Sequence, residues 1–463
     1  MQVLELQAMD LTLVGLYLAL IFWIGLRARR TATASDDFLL AGRGLTLPLF
    51  VGSLVSTWYG GLLGVTEIAF TDGVAAWLTQ GGFWYAAYLV FALFLAGRLA
   101  SSQHTTLPDQ IGALHGEGAR RLATLLNYLN VVPIAYVLSL GIIVQLFSGW
   151  SLTPSVLLAT AIAAAYSVVG GFRAVVYTDL LQFALMCVVV AMVLAAAVFG
   201  LGDGAYLAQR LPATHLQFTG AVSGQELSTW GLIAFSTLVD PNFYHRCYAA
   251  ESPAVARRGM LLAIGFWLLF DVCTVFGGLY ARAALGPDAD PQLAYPLMAW
   301  QLLPPGLRGL LIVGLLATAM STVDSYCFIG AMTLSHDVWR RHIAPESSEE
   351  RVVMITRLGV FLTAALAAAL ALVFGGSFKS IWKTLGSLST AAMLLPALLG
   401  LAGWRPRGAG LAGMLGGMVG TLGWASLRGL HVPWAMGVEP LLPGGALSLL
   451  AYGLRGITRR KEP

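Results

Sequence analysis

Gly314-Leu-Leu-Ala-Thr-Ala-Met-Ser-Thr-Val-Asp-Ser325 is apolar enough to lie in a bilayer. Yet it crowds Thr318, Ser321, Thr322, Asp324 and Ser325 into about two helical turns. Polar groups at membrane depth are costly unless something satisfies them. Hydroxyls beside a carboxylate are hard oxygen ligands and suit a small, weakly held cation such as Na⁺. Any fold assigned to the chain has to place this helix where its oxygens are used.

The rest of the chain agrees with a membrane setting. Hydrophobic residues make up 57% of 463 positions and charged residues 11%, with a mean hydropathy of +0.76. A soluble protein of this length needs far more charge to coat its surface, so the composition reads as all-α and polytopic, with the lipid bilayer as solvent. The 19 Pro and 53 Gly fit, both being more frequent in membrane helices than in soluble ones. The net charge of +4 says nothing about nucleic acid, because the excess sits in short loops where it reports orientation. Cys187, Cys247, Cys273 and Cys327 lie in or beside apolar segments and read as buried small hydrophobes. Neither they nor the seven histidines show metal-ligand spacing. No nucleophile elbow, phosphate loop or nucleic-acid motif appears, so neither enzyme nor nucleic-acid binder is supported.

Apolar windows of about 20 residues can be placed roughly thirteen times. They centre near Tyr17, Thr57, Tyr88, Val137, Ala161, Val190, Phe235, Phe270, Ala319, Ala365, Ala391, Gly417 and Leu447. The first, Leu11 to Leu26, is followed by Arg27, Arg29 and Arg30 and has no cleavage pattern, so it reads as a retained span over 9–27. The loops are short, and residues 1–463 read as a single integral membrane domain. With the amino terminus outside, the inner loops collect 21 of the 27 Lys and Arg, from Arg27 to Arg43 through to Arg455 to Lys461. The outer side keeps six, Arg210, Arg282, Arg308, Lys379, Lys383 and Arg428. That bias puts the carboxyl terminus in the cytoplasm of a multi-pass protein in the cell's inner (plasma) membrane.

Two windows look interrupted. The second holds Gly60, Gly61 and Gly64, and the seventh holds Ser236-Thr237 and then Asp240-Pro241. Broken spans expose backbone groups, tolerable in a membrane where they line a cavity or bind a ligand. Interruptions five spans apart point to an inverted-repeat transporter. Close helix packing is the other use of glycines such as those in the second span.

Five stretches then resemble the sodium:solute symporter family. Ser35-Asp-Asp-Phe-Leu-Leu-Ala-Gly-Arg43 is similar to its loop after the first span, and Thr106-Leu-Pro-Asp109 to its inner loop after the third. Gly170-Gly-Phe-Arg-Ala-Val-Val-Tyr-Thr-Asp-Leu-Leu-Gln182 resembles its signature. Asp240-Pro241 with Arg246 resembles the end of its seventh span, and Met320-Ser-Thr-Val-Asp-Ser325 with Asp337 its ninth. The resemblance implies a LeuT-type fold of five-plus-five inverted repeats, spans two to six and seven to eleven. The first span and the last two, over 408–454, would lie outside that core. It also implies a sodium site made of the Val55, Trp58 and Thr318 carbonyls and the Ser321 and Thr322 hydroxyls. Asp179, Asp324 and Ser325 would form a second ion site or line the ion's exit route.

For the solute, Thr57 and Tyr59 depart from the aspartate and serine of the family's proline-carrying branch. Tyr59, Phe235 and Thr57 are candidate wall residues, although aromatic side chains in spans often only pack. Lys383, in the outer part of the eleventh span, either snorkels to the interface or meets a carboxylate-bearing substrate. Glu67 and Asp271 are intramembrane acids that identify no ligand. The expected function is secondary active transport, Na⁺ driving a small polar organic solute into the cell. The rivals are an H⁺-coupled symporter with Asp179 or Asp324 as carrier, and a transporter-like sensor; a chain ending at Pro463 without a signalling module counts against the latter.

Overall fold

The computed structural model describes residues 6–28, 35–375 and 377–458. Arg29, Arg30, Arg459, Arg460 and Lys461, counted above toward orientation, lie outside them. Among the described residues the structure is helical, with a lone β-bridge between Leu45 and Ala250. Among the described residues ten helices are long and apolar enough to cross a membrane. Three windows fall outside that ten. Leu152–Val168 is shorter, the seventh is broken into Gly224–Ala234 and Pro241–Ala249, and the last, Leu441–Thr458, is long enough at 18 residues but less apolar.

The helix that opened the reading is the centre of the bundle. Leu307–Ile343 has 94% of its apolar window buried, against 22% for Ala8–Ala28 at the periphery. The peripheral helix still anchors it: the Asp10 carboxylate accepts from the amides of Gly306 at 3.1 Å and Gly309 at 2.7 Å. That caps the orphan donors at the start of Leu307–Met332 and places a negative charge at its positive end.

Both expected breaks are present. The second span runs as a regular helix over Leu47–Trp58, tightens over Tyr59–Gly61 and resumes over Leu62–Asp72. The seventh passes through a tight turn at Phe235–Val239 and extended backbone at Asp240 before Pro241–Ala249. Proline disfavours helical geometry at the residue before it and donates no amide hydrogen. Asp240 uses that break as a cap, accepting from Asn242 N at 2.9 Å.

The family-like loops also find physical reasons. Gly171, with φ of 65°, turns the fifth span into the sixth, and a Cβ there would sit 2.8 Å from the Phe38 carbonyl. Arg173, two residues on, donates to Asp37 at 2.7 Å, tying that turn to the loop after the first span. Thr106 caps its own helix through Asp109 N and donates to Asp337 at 2.7 Å.

Candidate ion and solute site

The ninth span meets the break of the second through hydroxyls. Ser321 Oγ donates to the carbonyls of Ser56 and Thr318, both at 3.0 Å. Thr322 Oγ1 donates to the carbonyl of Thr57 at 2.7 Å and lies 3.4 Å from that of Thr318. The approach depends on Gly60, since a Cβ there would fall 1.7 Å from Thr322 Oγ1. Gly61 makes room in the same way for the Trp382 ring, 2.3 Å from where its Cβ would be. Close packing and cavity lining are therefore both served by this one glycine run.

Thr318, Ser321 and Thr322 thus come together against the second-span break. The second-span carbonyls they reach are those of Ser56 and Thr57, between the expected Val55 and Trp58; the Val55 carbonyl accepts from the amide of Tyr59. The result is a buried cluster of neutral oxygens. A hydroxyl rotates freely about its C–O bond, so each can turn its hydrogen away and present a lone pair to a cation.

One turn further along the ninth span the chemistry changes sign. Asp179 Oδ2 accepts from Ser53 at 2.8 Å, Thr57 at 3.2 Å and Ser325 at 3.4 Å. The guanidinium of Arg246 lies 3.4 Å from the same oxygen and donates to Thr57 Oγ1 at 2.7 Å and Ser325 Oγ at 2.8 Å. Both charged side chains are 0% exposed. The Phe172 ring, 5.4 Å from the guanidinium carbon, adds a cation–π contact. Arg246 is a site residue that the sequence alone does not single out. The available signal was its position just past Asp240-Pro241, because a charge carried into a membrane bundle has to be paired.

Asp324 lies in the field of Asp179 and Arg246 but has its own hydrogen-bond donor. Its Oδ2 accepts from Tyr166 OH at 2.6 Å, and no hydrogen bond joins it to Asp179 among the described residues. Next to it, Tyr17 of the first span accepts from Gln182 at 3.0 Å and points its hydroxyl at the Met320 sulfur, 3.9 Å away.

On the other side of the second-span break lies a cavity of about 150 Å³. Its wall is aromatic, including Trp58, Tyr59, Trp84, Trp267 and Trp382, with Asp240 and Asp271 as its acids. Asp271 accepts from Tyr59 OH at 2.8 Å and from Tyr85 OH. Of the four residues expected to touch solute, Tyr59 lines the cavity. Thr57 is turned into the Asp179 network, and Phe235 lies half-buried in the tight turn of the seventh span. Lys383 pairs with Glu439 at 2.9 Å, and Lys379 with Asp72 at 2.6 Å and Glu226 at 3.0 Å. Neither lysine lines the cavity. Glu67 is a helix cap, accepting from Phe378 N at 3.1 Å.

At the end of the bundle that carries Asp109, Arg120 at 2.9 Å, His336 at 3.0 Å and Arg341 at 3.2 Å converge on that carboxylate. Burial alone would raise its pKa. The hydrogen bond from His336 and the charges of His336, Arg120 and Arg341 outweigh burial and hold it down at about 2.

Residues 38–420 match the family model described as the sodium:solute symporter family. The sodium/glucose cotransporter 4 of Danio rerio is 29% identical over 78% of this chain, which spans 62% of that protein's length. The osmoregulated proline transporter OpuE of Bacillus subtilis is 26% identical over 95% of this chain and 92% of its own. A solved structure of a Na⁺-coupled sialic acid symporter in a substrate-bound outward-open state superposes with a TM-score of 0.82. It does so over 98% of both chains at 15% identity, which speaks to fold alone.

Proposed function

The chain belongs to the sodium:solute symporter family, and on that premise we propose that it couples inward Na⁺ flux to uptake of a small polar organic solute. The observation that carries this is the set of buried neutral oxygens where the Ser321 and Thr322 hydroxyls meet the broken second span. Na⁺ needs several oxygens at short range but less ligand charge than Ca²⁺. In this reading the carbonyls of Val55, Trp58 and Thr318 complete the Na⁺ shell as the hydroxyls turn. Bound Na⁺ then joins the second span to the ninth and stabilises the state open to the outside. Each inward charge is worth about 2.3 kcal/mol per 100 mV before any concentration gradient is counted.

The finer architecture belongs to the same proposal. The chain crosses the plasma membrane thirteen times as one domain, with spans two to six and seven to eleven as inverted repeats and 9–27 and 408–454 outside them. The 21-to-6 split of Lys and Arg supports an amino terminus outside and a carboxyl terminus in the cytoplasm. The solute sits in the aromatic cavity against Tyr59. Asp179, Asp324 and Ser325 hold a second ion or line the exit route. The H⁺-coupled alternative rests on those same two carboxylates.

The test is ion specificity in proteoliposomes. Uptake driven by a Na⁺ gradient, and not by K⁺, is the expected outcome. Equal uptake under an imposed proton gradient without Na⁺ would transfer the proposal to the proton-coupled alternative.

A further inference from the structure

We infer that the solute is a small organic cation, an amine or quaternary ammonium, held by Asp271 inside a cage of aromatic rings. The inference rests on the transporter reading above and adds the charge of the cargo.

Asp271 is 3% exposed and faces the cavity. Its two oxygens accept from Tyr59 and Tyr85 hydroxyls, and no Lys, Arg or His forms an ion pair with it among the described residues. A buried carboxylate without a cation is costly, and hydroxyl donors offset only part of that cost. The other acid of the wall, Asp240, is already engaged, capping Asn242 N at 2.9 Å. The cavity lining holds aromatic rings, aliphatic side chains, two acids and a few neutral polar groups, and no basic side chain. The two nearby lysines are held away by Glu439, Glu226 and Asp72. A site that leaves its own carboxylate unpaired and withdraws its own cations is built for positive charge delivered from outside.

The rings supply the rest. Trp58 and Trp84 meet edge to face at 5.5 Å, and Tyr88 lies 4.2 Å from Trp267. Indole and phenol faces attract a desolvated cation, an ammonium carrying methyl groups included. Size points the same way. A cavity near 150 Å³ is of the order in which a protein interior holds a molecule the size of benzene. A trimethylated ammonium fits that space.

The experiment compares two probes of one shape. Purified full-length protein in Na⁺ is titrated with choline and with its uncharged isostere, in which a tert-butyl group replaces the trimethylammonium. Thermal unfolding reports binding, with glucose and proline run alongside. Choline is expected to bind at least tenfold more tightly than the isostere, and Asp271→Asn to erase that preference. Equal affinity for the two probes, or tighter binding of glucose or proline, would overturn the inference. The wild-type comparison decides even if Asp271→Asn fails to fold. A Na⁺ titration without solute separates the two readings: choline stabilisation without any Na⁺ response sinks the Na⁺-coupled function while this assignment stands. Na⁺ stabilisation with no preference for choline does the reverse.

Discussion

Two polar clusters sit one turn apart on the ninth span, and they solve burial in opposite ways. At Ser321 and Thr322 the oxygens are neutral and satisfy one another across the break of the second span. At Ser325 the partners are a carboxylate and a guanidinium, each fully buried. The neutral cluster can stand without an ion, because no charge is left over when the ion departs. The charged one carries its cation on a covalent tether. Exchange and permanence are thus separated along a single helix. In the proposed function the coupling ion sits at the first site, while at the second Arg246 lies 3.4 Å from the Asp179 carboxylate and leaves it as a station on the exit route.

Breaking the tether is expected to have the largest effect. Arg246→Leu leaves Asp179 buried and unpaired, a change that costs about 3–5 kcal/mol in comparable buried pairs. A large drop in thermal stability should follow, and Asp179→Asn added to the same chain should recover part of it. No recovery in the double variant would mean that the pair is not what stabilises this region. Next comes the neutral site. Ser321→Ala or Thr322→Ala should raise the Na⁺ concentration for half-maximal stabilisation by about tenfold or more, since hydrogen-bonding groups facing a charge contribute roughly 1.5–3 kcal/mol. Unchanged Na⁺ titrations in both variants would collapse the distinction between exchangeable and permanent cations.

Much of this was legible from residues alone. Ser321, Thr322 and Thr318 announced themselves because hydroxyls cluster on an otherwise apolar helix. Gly60 and Asp240-Pro241 announced the breaks because their backbone chemistry is local. What stayed hidden was pairing at long range. The meeting of Arg246 with Asp179 spans 67 positions, and Lys383 finds Glu439 at a distance of 56. Nothing in the order of residues says which of several acids a lysine will meet. Asp271 was visible as an intramembrane acid, but only the folded chain reveals that its partners are phenols and that, among the described residues, no cation pairs with it.

Asp109 offers a control in which dielectric is the variable. It too meets cationic side chains, yet at 12% exposure and outside the membrane spans. Its pKa is depressed from 3.8 to about 2. Its contribution is therefore present in full above pH ~4 and lost as pH falls toward ~2. Screening by water limits that contribution to about 1–2 kcal/mol. Asp109→Asn should lower the unfolding temperature modestly at neutral pH and flatten its fall between pH ~4 and ~2. A loss as large as that of Arg246→Leu would show that burial is not what sets the two clusters apart.

The smallest effect is expected at Asp324, and it bears on whether the two carboxylates act together. Asp179 and Asp324 lie on adjacent helices, but Asp179 answers to Arg246, Ser53 and Thr57, whereas Asp324 answers to Tyr166. An amide oxygen accepts from the Tyr166 hydroxyl as a carboxylate oxygen does. Asp324→Asn should therefore keep Na⁺-dependent uptake within about threefold of the parent, while Asp179→Asn, which strands the guanidinium, loses it. No hydrogen bond joins the two carboxylates among the described residues, but both lie in the field of Arg246, so the double variant should be only slightly worse than Asp179→Asn. If the double variant is instead no worse than Asp179→Asn while Asp324→Asn alone is already severe, the two carboxylates share one cation or one proton. The permanent site would then be an exchangeable one, and coupling by H⁺ would become the better account of the chain.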